Sequence, residues 1–102
     1  MTDEAEPFEL PITEVLDLHA FAPRDVPSVV EEYLRACREE GLMLVRLVHG
    51  RGRGVQRAEV QRVLRRMTAE VESFGDAPPE SGGWGATLVR LRPPEPEAAA
   101  RE

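Results

Sequence analysis

The stretch LMLVRLVHGRGRGVQRAEVQRVL, Leu42 to Leu64, decides the fold of this chain. It opens on a nearly continuous apolar run, which predicts a central β-strand over Leu42–Val48. Its last part carries apolar residues at helical spacing, so a helix is expected after the glycines. A histidine and alternating glycines and arginines join the two. The stretch therefore predicts a strand, a tight glycine-rich turn and a helix.

The alternation of strand and helix continues on both sides of this unit. Upstream, Ile12–His19 predicts a strand, and Asp25–Gly41 predicts a helix with Pro27 in its first turn. Two further strands are expected at 71–74 and 85–91. The apolar face of the second helix is expected to carry Val60, Val63, Leu64, Met67 and Val71. The order β-α-β-α-β-β predicts an α/β two-layer sandwich, with two helices packed against a mixed sheet of about four strands.

Length and composition indicate one small domain. The 102 residues leave room for a single core. Residues 1–11 and 93–102 are rich in acidic residues, proline and alanine, so flexible tails are expected around a domain at 12–92. The chain has no long apolar run and no secretory signal pattern, which predicts a cytoplasmic protein without a membrane partner. A single cysteine, Cys37, excludes an intrachain disulfide.

The net charge of −6 is unevenly distributed along the chain. Residues 1–40 carry −8, residues 41–92 carry +4, and the remainder carries −2. Every basic residue is an arginine, which is typical of a GC-rich genome, so only the positions of the arginines carry information. A basic middle between acidic flanks can present a local positive surface to nucleic acid.

The glycine-rich turn does not match the common nucleotide-binding loops. A Walker A loop needs a lysine, and the chain has none. A dinucleotide fingerprint would need Gly50, Gly52 and a third glycine where Val55 stands. Backbone amides at a helix N-terminus suit a phosphate, although a tight turn that needs positive φ angles explains the glycines equally well. The candidate phosphate-binding residues are Gly50, Arg51, Gly52, Arg53, Gly54 and Arg57.

The two histidines favour the functional interpretation. His19 and His49 each end a predicted strand, and adjacent parallel strands would place both at one edge of the sheet. Asp17 lies two residues before His19, so strand alternation points both side chains to one face. An aspartate, two histidines and a turn rich in backbone amides are groups that enzymes use to cleave phosphodiester bonds. His49 shares its alternation with core-facing Leu47, so we expect it to turn outward or to be partly structural.

The segment GGWGAT, Gly82–Thr87, is the third element of interest. Its glycines allow a turn that approaches a ligand or a neighbouring loop closely. Trp84 could stack on a base or anchor the loop by packing. Gly83, Trp84 and Gly85 are therefore candidate substrate contacts.

Together, LDLH, HGRGRG and GGWGATLV resemble the motifs of the Smr (small MutS-related) domain family. The resemblance covers about residues 12–92, and Ala20 departs from it where a glycine often follows LDxH. It implies a two-layer α/β fold and endonuclease activity on DNA or RNA, including RNA on ribosomes. By position, it assigns Asp17 and His19 to the first motif and His49 to the second.

Three functional hypotheses follow. The first is an endonuclease in which Asp17, His19 and His49 are catalytic, one histidine as base and the other as acid. It predicts no tightly bound metal, while a requirement for Mg²⁺ or Mn²⁺ stays open. The second is a nucleic-acid or ribosome-associated binding module without cleavage. The third is a protein-interaction adaptor, which leaves the three site residues unexplained. A monomer or weak oligomer is expected.

Overall fold

The computed structural model describes residues 14–50 and 54–94. Four strands are present: β1 (Glu14–Asp17), β2 (Leu44–Val48), β3 (Val71–Asp76) and β4 (Ala86–Leu91). The helices are α1 (Val26–Glu39) and α2 (Val55–Arg66), and short 3₁₀ turns link several elements. The predicted order β-α-β-α-β-β is confirmed.

The four strands form one mixed sheet in the order β1-β2-β4-β3. The first two strands are parallel neighbours, with Asp17 opposite Val48, whereas β4 runs antiparallel to both β2 and β3. The predicted adjacency of β1 and β2 is confirmed. Their C-terminal ends therefore meet at one edge of the sheet, where a parallel α/β unit offers a place for ligands.

Both helices pack on the same face of the sheet. Pro27 is in the first turn of α1, where its missing N–H costs little. A single apolar cluster joins the helices to β2 and β4. Its fully buried members include Val30, Leu34, Val60, Val63, Val45, Leu47 and Val89. The predicted two-layer α/β sandwich is confirmed.

Several predicted element boundaries are wrong: β2 begins at Leu44 rather than Leu42, β3 extends to Asp76, and two further differences matter more. The first strand ends at Asp17, and Leu18–Ala20 form a 3₁₀ turn, so His19 is not in a strand. The second helix ends at Arg66, so Val71 does not lie on its apolar face; it begins β3, as the predicted strand at 71–74 requires. Val71 pairs with Leu91, and a β-branched residue packs well in a sheet, which explains why tertiary pairing overrides helical spacing there.

The ends of the chain lie largely outside the described residues. Residues 1–11 and 95–102 are among those not described, so the flexibility of both tails stays a prediction. Within the described residues, no helix is long and apolar enough to cross a membrane.

Candidate functional site

Asp17 and His19 form a pair at the end of β1. The Asp17 Oδ1 atom accepts the backbone N–H of His19 at 2.9 Å and lies 2.7 Å from the ring Nδ1. The predicted proximity is therefore present, but it arises from the 3₁₀ turn that Asp17 caps and not from strand alternation. Both side chains are exposed, at 65% for Asp17 and 63% for His19. Solvent and ligands can reach the pair.

The electrostatics of this pair fix the histidine tautomer. The backbone N–H of His19, followed by its ring, lowers the pKa of Asp17. An ionised carboxylate only accepts hydrogen bonds, so the proton of a neutral His19 ring lies on Nδ1. The Nε2 lone pair is then available for a proton. This arrangement is the one by which a carboxylate orients a histidine general base.

His19 lies directly against Gly50, the first glycine of the HGRGRG segment. A Cβ at Gly50 would stand 2.8 Å from His19 Nε2, and Gly50 has a φ of +83°. Any side chain at this position would therefore collide with the ring as well as strain the backbone. The Gly50 N–H donates to the carbonyl of Gly85 at 2.8 Å. The predicted role of this amide in phosphate binding does not fit, because the fold already uses it; Gly50 instead gives His19 room.

His49 is buried, with 5% of its surface exposed. Its Nδ1 lies 2.9 Å from the Gly50 carbonyl, and its Nε2 lies 2.8 Å from Thr87 Oγ1. A carbonyl only accepts, so Nδ1–H donates to Gly50 and Nε2 accepts the Thr87 hydroxyl proton. Both nitrogens are thus engaged, which confirms the expectation that His49 is partly structural.

Burial also keeps the His49 ring neutral. Desolvation is the main cause that lowers its pKa, and the positive charge of Arg57 adds to the effect, while the Gly50 carbonyl partly opposes it. The predicted catalytic role of His49 does not fit this geometry, because a substrate would have to displace two internal hydrogen bonds. Thr87 was not among the predicted site residues, although it stands in the GGWGATLV motif.

Arg57 forms an ion pair with Asp76 of the same chain. Its guanidinium donates to both carboxylate oxygens of Asp76, at 2.9 and 3.0 Å, and this contact raises the pKa of Arg57. The predicted role of Arg57 in phosphate binding is weakened, because a bidentate carboxylate already neutralises its charge. Asp76 was missed by the sequence analysis, since no local pattern links it to a residue nineteen positions away.

The turn Gly83–Gly85 carries Trp84 next to the start of α2. The Arg57 guanidinium lies 5.8 Å from the centre of the Trp84 ring. Gly54, the N-cap of α2, has a left-handed backbone, and a Cβ there would lie 3.7 Å from the ring. The predicted contact of the GGWGAT segment with a neighbouring loop is thus present, through Gly85 to Gly50 and through Trp84 to Gly54.

Some predicted site residues cannot be placed. Arg51, Gly52 and Arg53 lie outside the described residues, so their role in phosphate binding stays a prediction. Among residues 14–50 and 54–94, no group of three or more His, Cys, Asp or Glu side chains is suited to hold a metal ion.

The chain matches a known domain over most of its length. The family model described as Smr domain matches residues 16–92. Endonuclease MutS2 of Thermus thermophilus is 42% identical over 78 residues, and Endonuclease MutS2 of Lactobacillus gasseri is 38% identical over 77 residues. Each alignment covers 76% of this chain and 10% of the relative. The chain thus spans about a tenth of the length of these curated relatives.

Two crystal structures have the same fold. The Smr domain of Thermus thermophilus MutS2 superposes with a TM-score of 0.74 at 41% identity, covering 79% of this chain and 100% of that one. YdaL, a stand-alone small MutS-related protein from Escherichia coli, superposes with a TM-score of 0.72 at 28% identity. That match covers 80% of this chain and 66% of YdaL.

Proposed function

The chain belongs to the Smr domain family, and from this premise we propose that it is an endonuclease that cleaves phosphodiester bonds in DNA or RNA. The observation that carries the proposal is the exposed Asp17–His19 pair, held at 2.7 Å with Nε2 against the glycine-rich turn. The name of the MutS2 relatives, endonuclease, supports the same reaction class. We propose a cytoplasmic protein, a monomer or weak oligomer, whose RNA substrates include ribosome-bound RNA.

His19 is the general base in this proposal. Its Nε2 takes the proton of the attacking oxygen, which is the 2′-hydroxyl in RNA or a water molecule in DNA. The oxygen forms a bond to phosphorus as the bond to the leaving oxygen breaks. The protonated ring then returns its proton to the leaving oxygen, so one histidine serves both steps. Asp17 keeps the ring in the productive tautomer and stabilises its positive charge.

The remaining parts of the site contribute indirectly. His49 acts as a positioning residue, because its Nδ1–H bond to the Gly50 carbonyl holds the turn beneath His19. Arg51 and Arg53 are proposed to offset the phosphate charge, which the Asp17 carboxylate repels. A loosely bound Mg²⁺ or Mn²⁺ ion beside Asp17 would supply further positive charge on DNA, where water must attack.

Cleavage of matched substrates tests this function. Labelled RNA and DNA of one sequence are each offered in single-stranded, duplex and branched form, with chelator or with Mg²⁺ or Mn²⁺. We expect the wild type to cut at least one polymer and His19→Gln to be about 10²-fold slower or worse, with an unchanged melting temperature. Binding without cleavage by the wild type would overturn the proposal and identify a non-cleaving binding module.

A further inference from the structure

Trp84 is the only tryptophan of the chain and is 42% exposed. An indole this exposed leaves a large apolar surface in water. Folding has not buried this ring, although it lies in a turn that is otherwise well anchored: Gly83 N–H donates to the Pro78 carbonyl, and Gly85 N–H donates to the Gly82 carbonyl. The exposed surface of the Trp84 ring is therefore accessible to a ligand.

The Trp84 ring is held in place before any ligand binds. The Arg57 guanidinium packs over the ring, and Asp76 fixes that guanidinium with two hydrogen bonds. The backbone at Gly54 borders the edge of the ring. A ring whose orientation is already set loses little conformational entropy on binding, which favours its use as a contact surface.

Two backbone hydrogen bonds join the residue after Trp84 to the backbone beside His19. The carbonyl of Gly85, the residue after Trp84, accepts the backbone N–H groups of His49 at 3.1 Å and of Gly50 at 2.8 Å. Gly50 in turn lies against His19 Nε2. Trp84 and His19 therefore lie on either side of the Gly50–Gly85 hydrogen bond, so a nucleic-acid strand bound at His19 can also reach the ring.

We infer that Trp84 stacks on one unpaired nucleobase adjacent to the scissile phosphate, so that the substrate is single-stranded or unpaired at the cleavage point. This inference rests on the proposed function. An aromatic face recognises a flat base independently of its sequence. Inside a duplex, both faces of a base are covered by its neighbours, so stacking on Trp84 requires an unpaired or flipped base.

Intrinsic fluorescence tests this inference, because Trp84 is the sole indole. The full chain carrying His19→Gln, which prevents turnover, is titrated with a single-stranded oligonucleotide, its duplex and an abasic strand of equal length. We expect the single strand to quench the fluorescence, and the duplex and the abasic strand to quench it little. Anisotropy of labelled oligonucleotides measures the affinities in parallel.

Variants separate stacking from phosphate contact. Trp84→Ala in the same background is expected to bind the single strand about 5- to 100-fold more weakly. Trp84→Phe keeps most of the affinity because it keeps an aromatic face. Val55→Ser, which removes another exposed apolar side chain, keeps all of it. Circular dichroism confirms that each variant is folded.

Single-strand binding that is the same in Trp84→Ala, or equal quenching by the intact and abasic strands, overturns the inference. These results leave the proposed function standing if the wild type still cleaves. Conversely, Trp84-dependent binding by a wild type that cleaves nothing supports the base contact and overturns the endonuclease proposal. A wild type that binds no nucleic acid overturns both.

Discussion

The two histidines stand at neighbouring points of the fold and have opposite surroundings. His19 follows β1 and has an exposed ring with one carboxylate at Nδ1. His49 follows β2 and is buried, with a protein partner at each ring nitrogen. A histidine can exchange a proton with a substrate only if its ring is accessible to solvent and one ring nitrogen has no hydrogen-bond partner within the protein. His19 meets both conditions in the described structure, and His49 meets neither.

The difference originates in the backbone after each strand. The 3₁₀ turn at Leu18–Ala20 buries Leu18 and brings His19 outward beside Asp17. The chain after β2 instead keeps the alternation that buries Val45 and Leu47, so His49 points into the core. There it meets Thr87 of β4, whose Cα is opposite Leu47 in the antiparallel pairing. The 3₁₀ turn after β1 is therefore the reason that His19 is exposed while His49 is buried.

The largest effect is expected where the exposed pair is broken. Asp17→Asn removes the negative charge and introduces an NH₂ group that can donate to Nδ1, so the His19 proton is no longer held there. We expect the cleavage rate to fall by about 10²- to 10⁴-fold with little change in binding. Single-turnover cleavage and oligonucleotide binding measure the two quantities separately.

Asp25→Asn is the matched control. It makes the same change of charge at a carboxylate that forms no side-chain cap to α1. An equal loss of rate in this control would trace the effect to net charge and would contradict the assigned role of the pair.

A smaller effect, on stability, is expected at the buried histidine. Thr87→Val keeps the shape but removes the hydroxyl that donates to His49 Nε2, leaving a buried acceptor unpaired. The free energy of unfolding should fall by about 1–3 kcal/mol, measured by chemical denaturation. Thr87→Ser retains the hydroxyl and should cost less.

Cleavage well below the melting temperature should change less than about tenfold in Thr87→Val, because His49 passes no proton to the substrate in this account. A loss of rate as large as that of His19→Gln would mean that His49 takes part in catalysis. The assignment of different roles to the two histidines would then be wrong.

The smallest effect is the pH dependence of stability. The pKa of His49 is lowered in the folded protein, so the unfolded chain binds more protons as the pH falls below about 6.5. His49 should therefore destabilise the fold between that pH and its own folded pKa, by at most about 1.4 kcal/mol per pH unit. The lowered pKa of Asp17 acts in a separate window, below about pH 4.

Chemical denaturation of the wild type and of His49→Asn between pH 7.5 and 5.5 measures the contribution of His49 to the pH dependence of the free energy of unfolding. Asp17 stays ionised in both proteins over this range. The wild type should lose stability more steeply than the variant. Parallel slopes would mean that His49 titrates like a free histidine and is less buried than the structure places it.

The order of the elements, the placement of both helices in one layer and the edge at which the motifs meet could all be predicted from the sequence. Apolar spacing and glycine positions are local properties, and they were sufficient to predict the helix that opens at Val26 and the parallel strands that carry Asp17 and His49 to one edge. The close contact of Asp17 with His19 also followed from their spacing, although the turn that produces it did not.

The burial and the hydrogen-bond partners of each site residue could be known only from the tertiary structure. His49 and Thr87 are 38 positions apart, and Arg57 and Asp76 are 19 apart. An exposed ring and a buried ring have the same letter in the sequence. Burial and partner atoms distinguish them, and both are set by packing between segments that no local pattern connects.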